Sequence, residues 1–258
     1  TVGFNLSDYQ SEVTKFDNES KELGNWYVGQ KQGEIWGYET YGLFQSEQEI
    51  AGAANQDKVS GGIKLMPGDI RFVDRNNDGV IDWGDNTVDN PGDKKIIGNS
   101  TPRYHYGINL GADWKGFDLG IFFQGVGKRD LYLPGTSFRS HYGSEWQVPS
   151  AYNNDYWTEE NTGAYFPRAR FNGGSAINQA QTRYMVDASY CRLKSVSIGY
   201  TLPKVLTQKA SIEKIRIYFT GENLFTISDT PDGLDPELDN PYTYPMQRSL
   251  SVGLSLTF

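Results

Sequence analysis

The segment DRNNDGVIDWGD, residues 74–85, carries oxygen-bearing side chains at the spacing of a calcium-binding loop. EF-hand loops place ligands at positions 1, 3, 5, 7, 9 and 12, with a glycine at position 6 and a main-chain carbonyl at position 7. The matching ligand positions here are Asp74, Asn76, Asp78, Val80, Asp82 and Asp85, and Gly79 occupies the turn. Because hard oxygen ligands suit Ca²⁺, the pattern predicts a calcium site.

Two features of this loop keep a metal-free interpretation open. Asp85 stands where such loops usually carry a glutamate, and its shorter side chain would weaken or reshape the site. Asp, Asn and Gly also favour turns by themselves. The flanking sequences hold β-forming residues and no helical pattern, so we expect either a Ca²⁺ that makes an exposed loop rigid or an Asx-rich turn.

The elements around the loop are predicted by apolar residues at every second position, which indicates β-strands. Residues 104–114 alternate in this way, and the pattern resumes at Phe117 after Lys115-Gly116, which predicts a hairpin. The same alternation occurs in residues 195–203, 214–222 and 249–258. With TVGFNL at the start and residues 26–40 as a further strand, we expect an all-β chain of about seven strands.

The predicted connections alternate between short and long. Lys115-Gly116 and residues 203–211 are short, whereas residues 43–103, 127–191 and 226–247 are long and polar. This alternation is typical of transmembrane β-barrels, as are strands of about 9–11 residues that end in aromatic side chains. A soluble β-sandwich with one solvated face would show the same alternation within its strands.

Composition restricts the classes of function. A formal net charge of -8 opposes nucleic acid as a partner, and the single Cys191 excludes an internal disulfide and a four-cysteine zinc site. Only two histidines are present, and no H-E-x-x-H, G-x-S-x-G or Walker A motif occurs, so we expect no enzyme. The absence of an initiator Met and of signal-peptide features indicates either a processed chain or a piece of a longer one.

Two residue clusters have ambiguous roles. DGLDPELDN, residues 232–240, is acidic, and we interpret it as a solvated loop rather than a metal site. Aromatic residues within 127–191 would either stack on sugar rings or substrate side chains, or pack the core of their own loop. They are Trp146, Tyr152, Tyr156 and Trp157.

Several of these segments together resemble one protein family. GDIRFVDRNNDGVID and DKKIIGNSTPRYHYGINLGADWKGFDLGIFFQGVG are similar to the C-terminal barrel of SusC/RagA-type TonB-dependent outer-membrane transporters of Bacteroidetes. GEIWGYETYGLFQSEQEI, YCRLKSVSIGYTLPK, RIYFTGENLFTIS and SLSVGLSLTF are similar to the same family. The resemblance covers essentially the whole chain, in order.

The resemblance implies an architecture. Residues 1–258 would be the C-terminal part of a 22-stranded transmembrane antiparallel β-barrel in the bacterial outer membrane, with the plug domain and the remaining strands outside this chain. The three long loops would be extracellular and the short turns periplasmic. The partners would be the rest of the barrel and plug, a SusD-like surface lipoprotein, the TonB complex and outer-membrane lipid, with no nucleic acid.

The resemblance also implies a function, which is TonB-dependent import of a large nutrient, either a glycan or an oligopeptide. The residues that bind this substrate remain unassigned. The alternative is a secreted, calcium-stabilised β-sandwich that acts as a binding module or adhesin. Solubility distinguishes the two, because a sandwich would purify without detergent.

Overall fold

The computed structural model describes residues 1–132, 155–170, 175–207, 211–238 and 243–258. The strands are β1 Val2–Ser7, β2 Glu34–Tyr38, β3 Thr40–Leu43, β4 Ile70–Phe72, β5 Lys94–Asn99, β6 Arg103–Trp114, β7 Phe117–Lys128, β8 Asp130–Tyr132, β9 Met185–Asp187, β10 Tyr190–Thr201, β11 Lys214–Glu222, β12 Thr226–Ser228 and β13 Ser249–Thr257. Short helices are α1 Glu47–Ala51, α2 Asp57–Ser60 and α3 Lys204–Thr207, with 3₁₀ turns at Ala176–Asn178 and Thr182–Tyr184. Within these residues no helix has the length and apolar character needed to span a membrane. The predicted all-β class is confirmed.

The chain forms two compact units. The first contains residues 1–9, 102–130 and 187–258. Its seven-stranded antiparallel sheet has the order β1-β6-β7-β10-β11-β13, and β12 pairs with β10. The predicted hairpin joins β6 to β7 through Lys115 and Gly116, which both have positive φ (47° and 91°) as tight hairpin turns require.

The strand register gives the first unit's sheet two chemically different faces. Val2 lies opposite Leu110, and Leu110 lies opposite Ile121. The row continues to Val196 on β10. Because directly opposed residues share a face, the predicted apolar face runs unbroken from β1 across to β10. A bulge at Lys194 shifts the register within β10, so the residues on either side of it follow different phases of alternation.

The second unit contains residues 10–101 and 131–186. Two-stranded sheets form between β2 and β5 and between β3 and β4. Its hydrophobic core combines residues from both segments: Tyr38, Leu43, Val59, Ile70, Phe72, Ile81, Trp157, Ala164, Phe166, Ala176, Ile177 and Tyr184. A third small sheet pairs β8 with β9.

One sequence-based prediction is wrong in this unit. Residues 26–40 do not add a strand to the large sheet, because β2 pairs with β5 instead. The predicted long connections 43–103 and 127–191 have structure of their own, since described residues of both segments pack into the second unit around a shared core. Short strands and polar composition concealed this core, because its two halves are far apart in sequence.

Candidate functional site

The apolar face of the first unit's sheet is exposed. Val2 on β1 is 81% exposed and Leu254 on β13 is 60% exposed. The side chains between them, among them Trp114, Phe117, Ile198, Ile217 and Phe219, are also exposed. Soluble proteins rarely expose contiguous apolar patches larger than a few hundred Å². An unbroken apolar face across six strands therefore fits contact with lipid.

The opposite face is polar and held by an ion pair that crosses a glycine. Arg216 on β11 donates from Nε and Nη2 to the Asp118 carboxylate on β7, at 2.9 and 2.5 Å. Both strands flank β10, and a Cβ on Gly199 would lie 2.5 Å from Arg216 and from Asp118. A glycine is therefore required where the pair passes over β10. Polar residues on this face suit the lumen of a barrel.

Aromatic side chains lie at the hairpin end of the sheet. The Phe117 and Tyr200 rings are 4.5 Å apart between centres, and the Lys115 ammonium lies 5.0 Å from the centre of the Trp114 ring. Rings with a polar edge or a neighbouring cation are typical of a membrane–water interface. Their position agrees with the aromatic belt that the sequence predicts at this end of the strands.

A buried ionic cluster lies at the opposite ends of the strands. Arg192 on β10 is 3% exposed. Its Nη2 lies 2.6 Å from Asp235 Oδ1, and its Nη1 lies 2.5 Å from Glu237 Oε2. Lys194 is 2.8 Å from the same Glu237 carboxylate. The carbonyl of Pro236 between these two acids accepts a hydrogen bond from buried Arg129.

This cluster corrects the interpretation of DGLDPELDN as a solvated loop at Asp235 and Glu237, whereas residues 239–240 lie outside the described residues. The signal in the sequence was the pair of charges in YCRLK, which interrupts an otherwise alternating strand. Burial of Asp235 would raise the pKa of its carboxyl, but hydrogen bonds from Arg192 and from the Met246 and Glu237 N–H groups outweigh burial and lower that pKa. The acid therefore stays ionised and holds the segment to β10.

The predicted calcium loop lies in the second unit and is closed by hydrogen bonds of its own. Gly79 N–H donates to Asp74 Oδ2 at 2.9 Å, and Val80 N–H donates to Asp78 Oδ1 at 2.8 Å. Asn76 Nδ2 donates to Asp78 Oδ2, also at 2.8 Å. These contacts form the Asx-rich turn that the alternative interpretation predicts. Asp74 Oδ1 is buried and has no hydrogen-bond partner among the described residues, so one carboxylate oxygen of the loop is not used by the turn.

The last two predicted ligands bind other groups. Asp82 pairs with Lys58 at 2.7 Å, and this contact is the main reason that the pKa of its carboxyl is lowered. Asp85 accepts a hydrogen bond from Asn90. No group of three or more His, Cys, Asp or Glu side chains is placed to hold a metal ion among the residues that the structure describes. The calcium site therefore stays a prediction.

Buried Asp93 fixes both ends of this loop. Its Oδ1 accepts from Arg75 N–H at 2.7 Å, and its Oδ2 accepts from Asp82 N–H at 2.8 Å. The loop is also joined to the neighbouring chain at Asn55, whose N–H donates to Gly79 O and whose carbonyl accepts from Ile81 N–H. Sequence spacing gave no sign of either contact, because Asp93 and Asn55 lie outside the motif.

The four aromatic residues singled out within 127–191 differ in their surroundings. Trp157 is 3% exposed in the core of the second unit, which agrees with the interpretation that these residues pack their own segment. Tyr156 is exposed. Trp146 and Tyr152 lie outside the described residues.

Comparison with known proteins identifies the family. No family model matches the chain. The chain is 31% identical over 248 residues to TonB-dependent receptor P3 of Formosa agariphila, a match that covers 89% of the chain and 22% of that receptor. It is 29% identical over 194 residues to TonB-dependent receptor SusC of Bacteroides thetaiotaomicron, which covers 72% of the chain and 17% of SusC. The chain belongs to the SusC/RagA-type TonB-dependent outer-membrane receptors.

Solved structures of this family share the fold. The RagAB peptide transporter superimposes with a TM-score of 0.71 at 21% identity, covering 100% of the chain and 27% of that structure's chain. The closed-closed state of the RagAB peptide importer gives a TM-score of 0.69 at 22% identity. These matches confirm the predicted barrel fold, and the chain spans only about a quarter of the length of the proteins it matches. The relatives are named receptors and transporters, not enzymes, in agreement with the expectation from the sequence.

Proposed function

We propose that the chain is the C-terminal part of a 22-stranded TonB-dependent barrel that imports a large nutrient, a glycan or an oligopeptide, across the outer membrane. The observation that carries this proposal is the similarity to TonB-dependent receptors over 89% of the chain. The exposed apolar face and the polar opposite face support it, because a barrel needs lipid outside and water inside. The long connections would be extracellular and the hairpin turn at Lys115-Gly116 periplasmic.

The partners follow from this role. A SusD-like lipoprotein would cap the barrel from outside, and the TonB complex would supply energy through the plug. The alternative, a secreted β-sandwich, requires a second sheet that covers the apolar face. The described residues of the first unit leave that face exposed, so no observation favours the sandwich.

Energy-dependent uptake tests the import function. Cells with the intact receptor are expected to accumulate a fluorescently labelled oligosaccharide or oligopeptide that cells lacking the receptor exclude. Dissipating the proton gradient is expected to abolish this uptake. Accumulation that persists without the receptor or without the gradient would contradict the proposal, and recovery of the protein in the detergent-free soluble fraction would favour the sandwich.

A structural Ca²⁺ in the loop at residues 74–85 is part of the same proposal. Asp74, Asn76, Asp78, the Val80 carbonyl, Asp82 and Asp85 would hold it, the last directly or through water. The buried Asp74 oxygen, which has no partner in the described part of the chain, supports this set, whereas the Lys58–Asp82 ion pair competes with it. The ion would make the loop rigid and would not be transported.

A further inference from the structure

The second unit contains an open cavity of about 330 Å³ beside β3 and β4. This volume falls in the range of small-molecule sites, about 300–1,000 Å³. Side chains that border it are Tyr41, Leu43, Glu49, Arg71, Thr162 and Arg183. They come from β3, α1, β4, the segment near residue 162 and the second 3₁₀ turn, so the unit's fold builds the cavity from distant parts of the chain.

Tyr41 reaches this cavity because of a bulge in β3. Thr40 lies opposite Phe72 and Gly42 lies opposite Arg71, which leaves Tyr41 as the extra residue. Gly42 has a φ of 119°, a conformation that other residues rarely adopt. Tyr41 is consequently 74% exposed, and its ring centre lies 4.8 Å from the Arg71 guanidinium carbon. Bulges often redirect side chains beside functional sites.

Among the residues that the structure describes, the two arginines at the cavity retain hydrogen-bond donors without an acceptor. Within the described residues, the Arg71 guanidinium makes no hydrogen bond or ion pair, and its neighbours are the ring faces of Tyr41 and Phe44. Arg183 donates from Nε and Nη2 to the carbonyls of Tyr165 and Ala164, at 2.7 and 2.5 Å. Arg183 Nη1 makes no hydrogen bond within the described residues.

The acid at this cavity does not neutralise them. Glu49 is the acidic residue among the cavity's described neighbours, and its Oε2 accepts a hydrogen bond from Gln45 N–H at 2.8 Å. It forms no ion pair with Arg71 or Arg183 in the described structure. The cavity therefore offers two cations with free N–H groups, one carboxylate and one exposed aromatic ring.

We propose that this cavity binds a carboxylate group of a nutrient through Arg71 and Arg183. The planar guanidinium groups match a carboxylate in a fork geometry that an ammonium cannot reproduce. Tyr41 would stack on the adjoining sugar ring or side chain, and Glu49 would accept from a hydroxyl or an ammonium. The carboxylate would come from an acidic sugar or from the C-terminus of a peptide. A role in uptake rests on the import function proposed above, whereas binding itself does not.

Calorimetric titration of the full-length, detergent-purified receptor tests this assignment. The probes are trigalacturonate against its methyl ester, and a pentapeptide with a free C-terminus against the same peptide amidated. The variants are Arg71→Gln, Arg71→Lys and Tyr41→Ala. Lys64→Gln is the matched control, because it removes the same charge from an exposed position of the same unit outside the cavity.

An acid is expected to bind at least about tenfold more tightly than its neutral analogue, since hydrogen bonds to a charged group are stronger than those to a neutral one. Arg71→Gln is expected to abolish the preference, Arg71→Lys to retain part of it, and Lys64→Gln to leave it unchanged. Preference for trigalacturonate identifies an acidic sugar as the source, and preference for the free peptide identifies a C-terminus.

Equal binding of acids and neutral analogues would overturn the assignment, as would an undiminished preference in Arg71→Gln. Binding of neither probe, with Arg71→Gln instead weakening capture of a SusD-like lipoprotein, would overturn it in favour of protein docking. Carboxylate binding that persists while receptor loss leaves cellular uptake unchanged would support the cavity assignment and contradict the import function separately.

Discussion

At the scale of single residues, Arg192 fixes the position of the acidic segment around Asp235 and Glu237, which belongs to the last long connection, residues 226–247. Its guanidinium is buried between Asp235 and Glu237, and Lys194 neutralises the second acid further. A buried ion pair adds little stability compared with apolar packing, because desolvation offsets attraction. Removing one partner is costly, however, because the other charge stays buried alone. The cluster therefore specifies the position of this segment.

Asp235→Asn is expected to loosen residues 229–238 locally. Loss of one partner from a buried pair costs about 3–5 kcal/mol, and because Asn keeps one oxygen we expect about 3 kcal/mol. Hydrogen exchange of this segment is the measurement, with protection falling by about two orders of magnitude. Asp232→Asn is the control, because Asp232 is exposed in the same segment and no ion pair involves it among the described residues. Equal exchange in the two variants would contradict the role of the cluster.

The same acid predicts a pH dependence. The pKa of Asp235 is lower in the folded protein than its ordinary value, so the unfolded state binds the proton more readily. Its stabilising contribution is therefore complete above the unfolded pKa, about 3.9, and is lost as the pH falls through the folded value. Protection of residues 229–238, corrected for the intrinsic exchange rate, is expected to begin to converge between wild type and Asp235→Asn as the pH falls below about 4. A gap that stays constant down to pH 3 would show that another group holds the segment.

The calcium prediction also belongs to single residues. Ca²⁺ is expected to slow hydrogen exchange in residues 69–98, and a chelator is expected to reverse this while leaving β6 protected by its ladder hydrogen bonds. Asp78→Ala is expected to remove the calcium response, and Asp89→Ala to retain it. Asp78 also accepts hydrogen bonds from Val80 and Asn76, and their loss would speed exchange without any metal. The test is therefore the loss of the response to calcium, not faster exchange in Asp78→Ala by itself. If neither calcium nor the chelator changes the exchange rate of the wild type, the calcium site is refuted and the loop is a metal-free turn.

At the scale of elements, alternation predicted the long strands because each of their faces meets a uniform environment. β6, β7, β10, β11 and β13 all follow this rule, and their register places the apolar residues in common rows. The bulge at Lys194 was not predictable, since it depends on pairing with β7. The candidate calcium loop was found by spacing alone, but the arginine cavity was not, because its residues join only through the tertiary fold.

Substitutions on β13 test which face meets lipid. Leu254→Arg is expected to cost about 2–4 kcal/mol near the bilayer midplane. Ser255→Arg is expected to cost far less, because Ser255 lies opposite Arg216 on the polar face. Folding into lipid vesicles, followed by denaturant titration of the full-length barrel, measures both. Equal losses in the two variants would refute the assignment of the faces.

At the scale of the whole molecule, the lipid-facing sheet and the two proposed ligand sites lie in different units. The first unit carries the two-faced sheet, and the second carries the candidate calcium loop and the cavity of Arg71 and Arg183 around a core of its own. Sequence patterns predicted the first unit because lipid and water impose a period of two. They missed the second, whose strands are short and whose core joins residues 10–101 to residues 131–186.

This division predicts that exchanging residues 127–191 alone will not transfer substrate specificity from one receptor to another. If the proposed function holds, the plug, the rest of the barrel and the capping lipoprotein would also border the substrate, and residues 127–191 would supply only part of the contact surface. Most of the residues that line the cavity of Arg71 and Arg183, including Tyr41 and Arg71, also lie outside that segment. Exchanging residues 127–191 between two receptors of different substrate is therefore expected to shift relative uptake only in part.

The measurement is competitive uptake of both substrates by cells that carry each chimaera, with exchange of residues 10–186 as the comparison. A complete change of substrate on exchanging 127–191 alone would show that this segment holds specificity by itself. The larger exchange is expected to move specificity further, because it carries the second unit's core and cavity together.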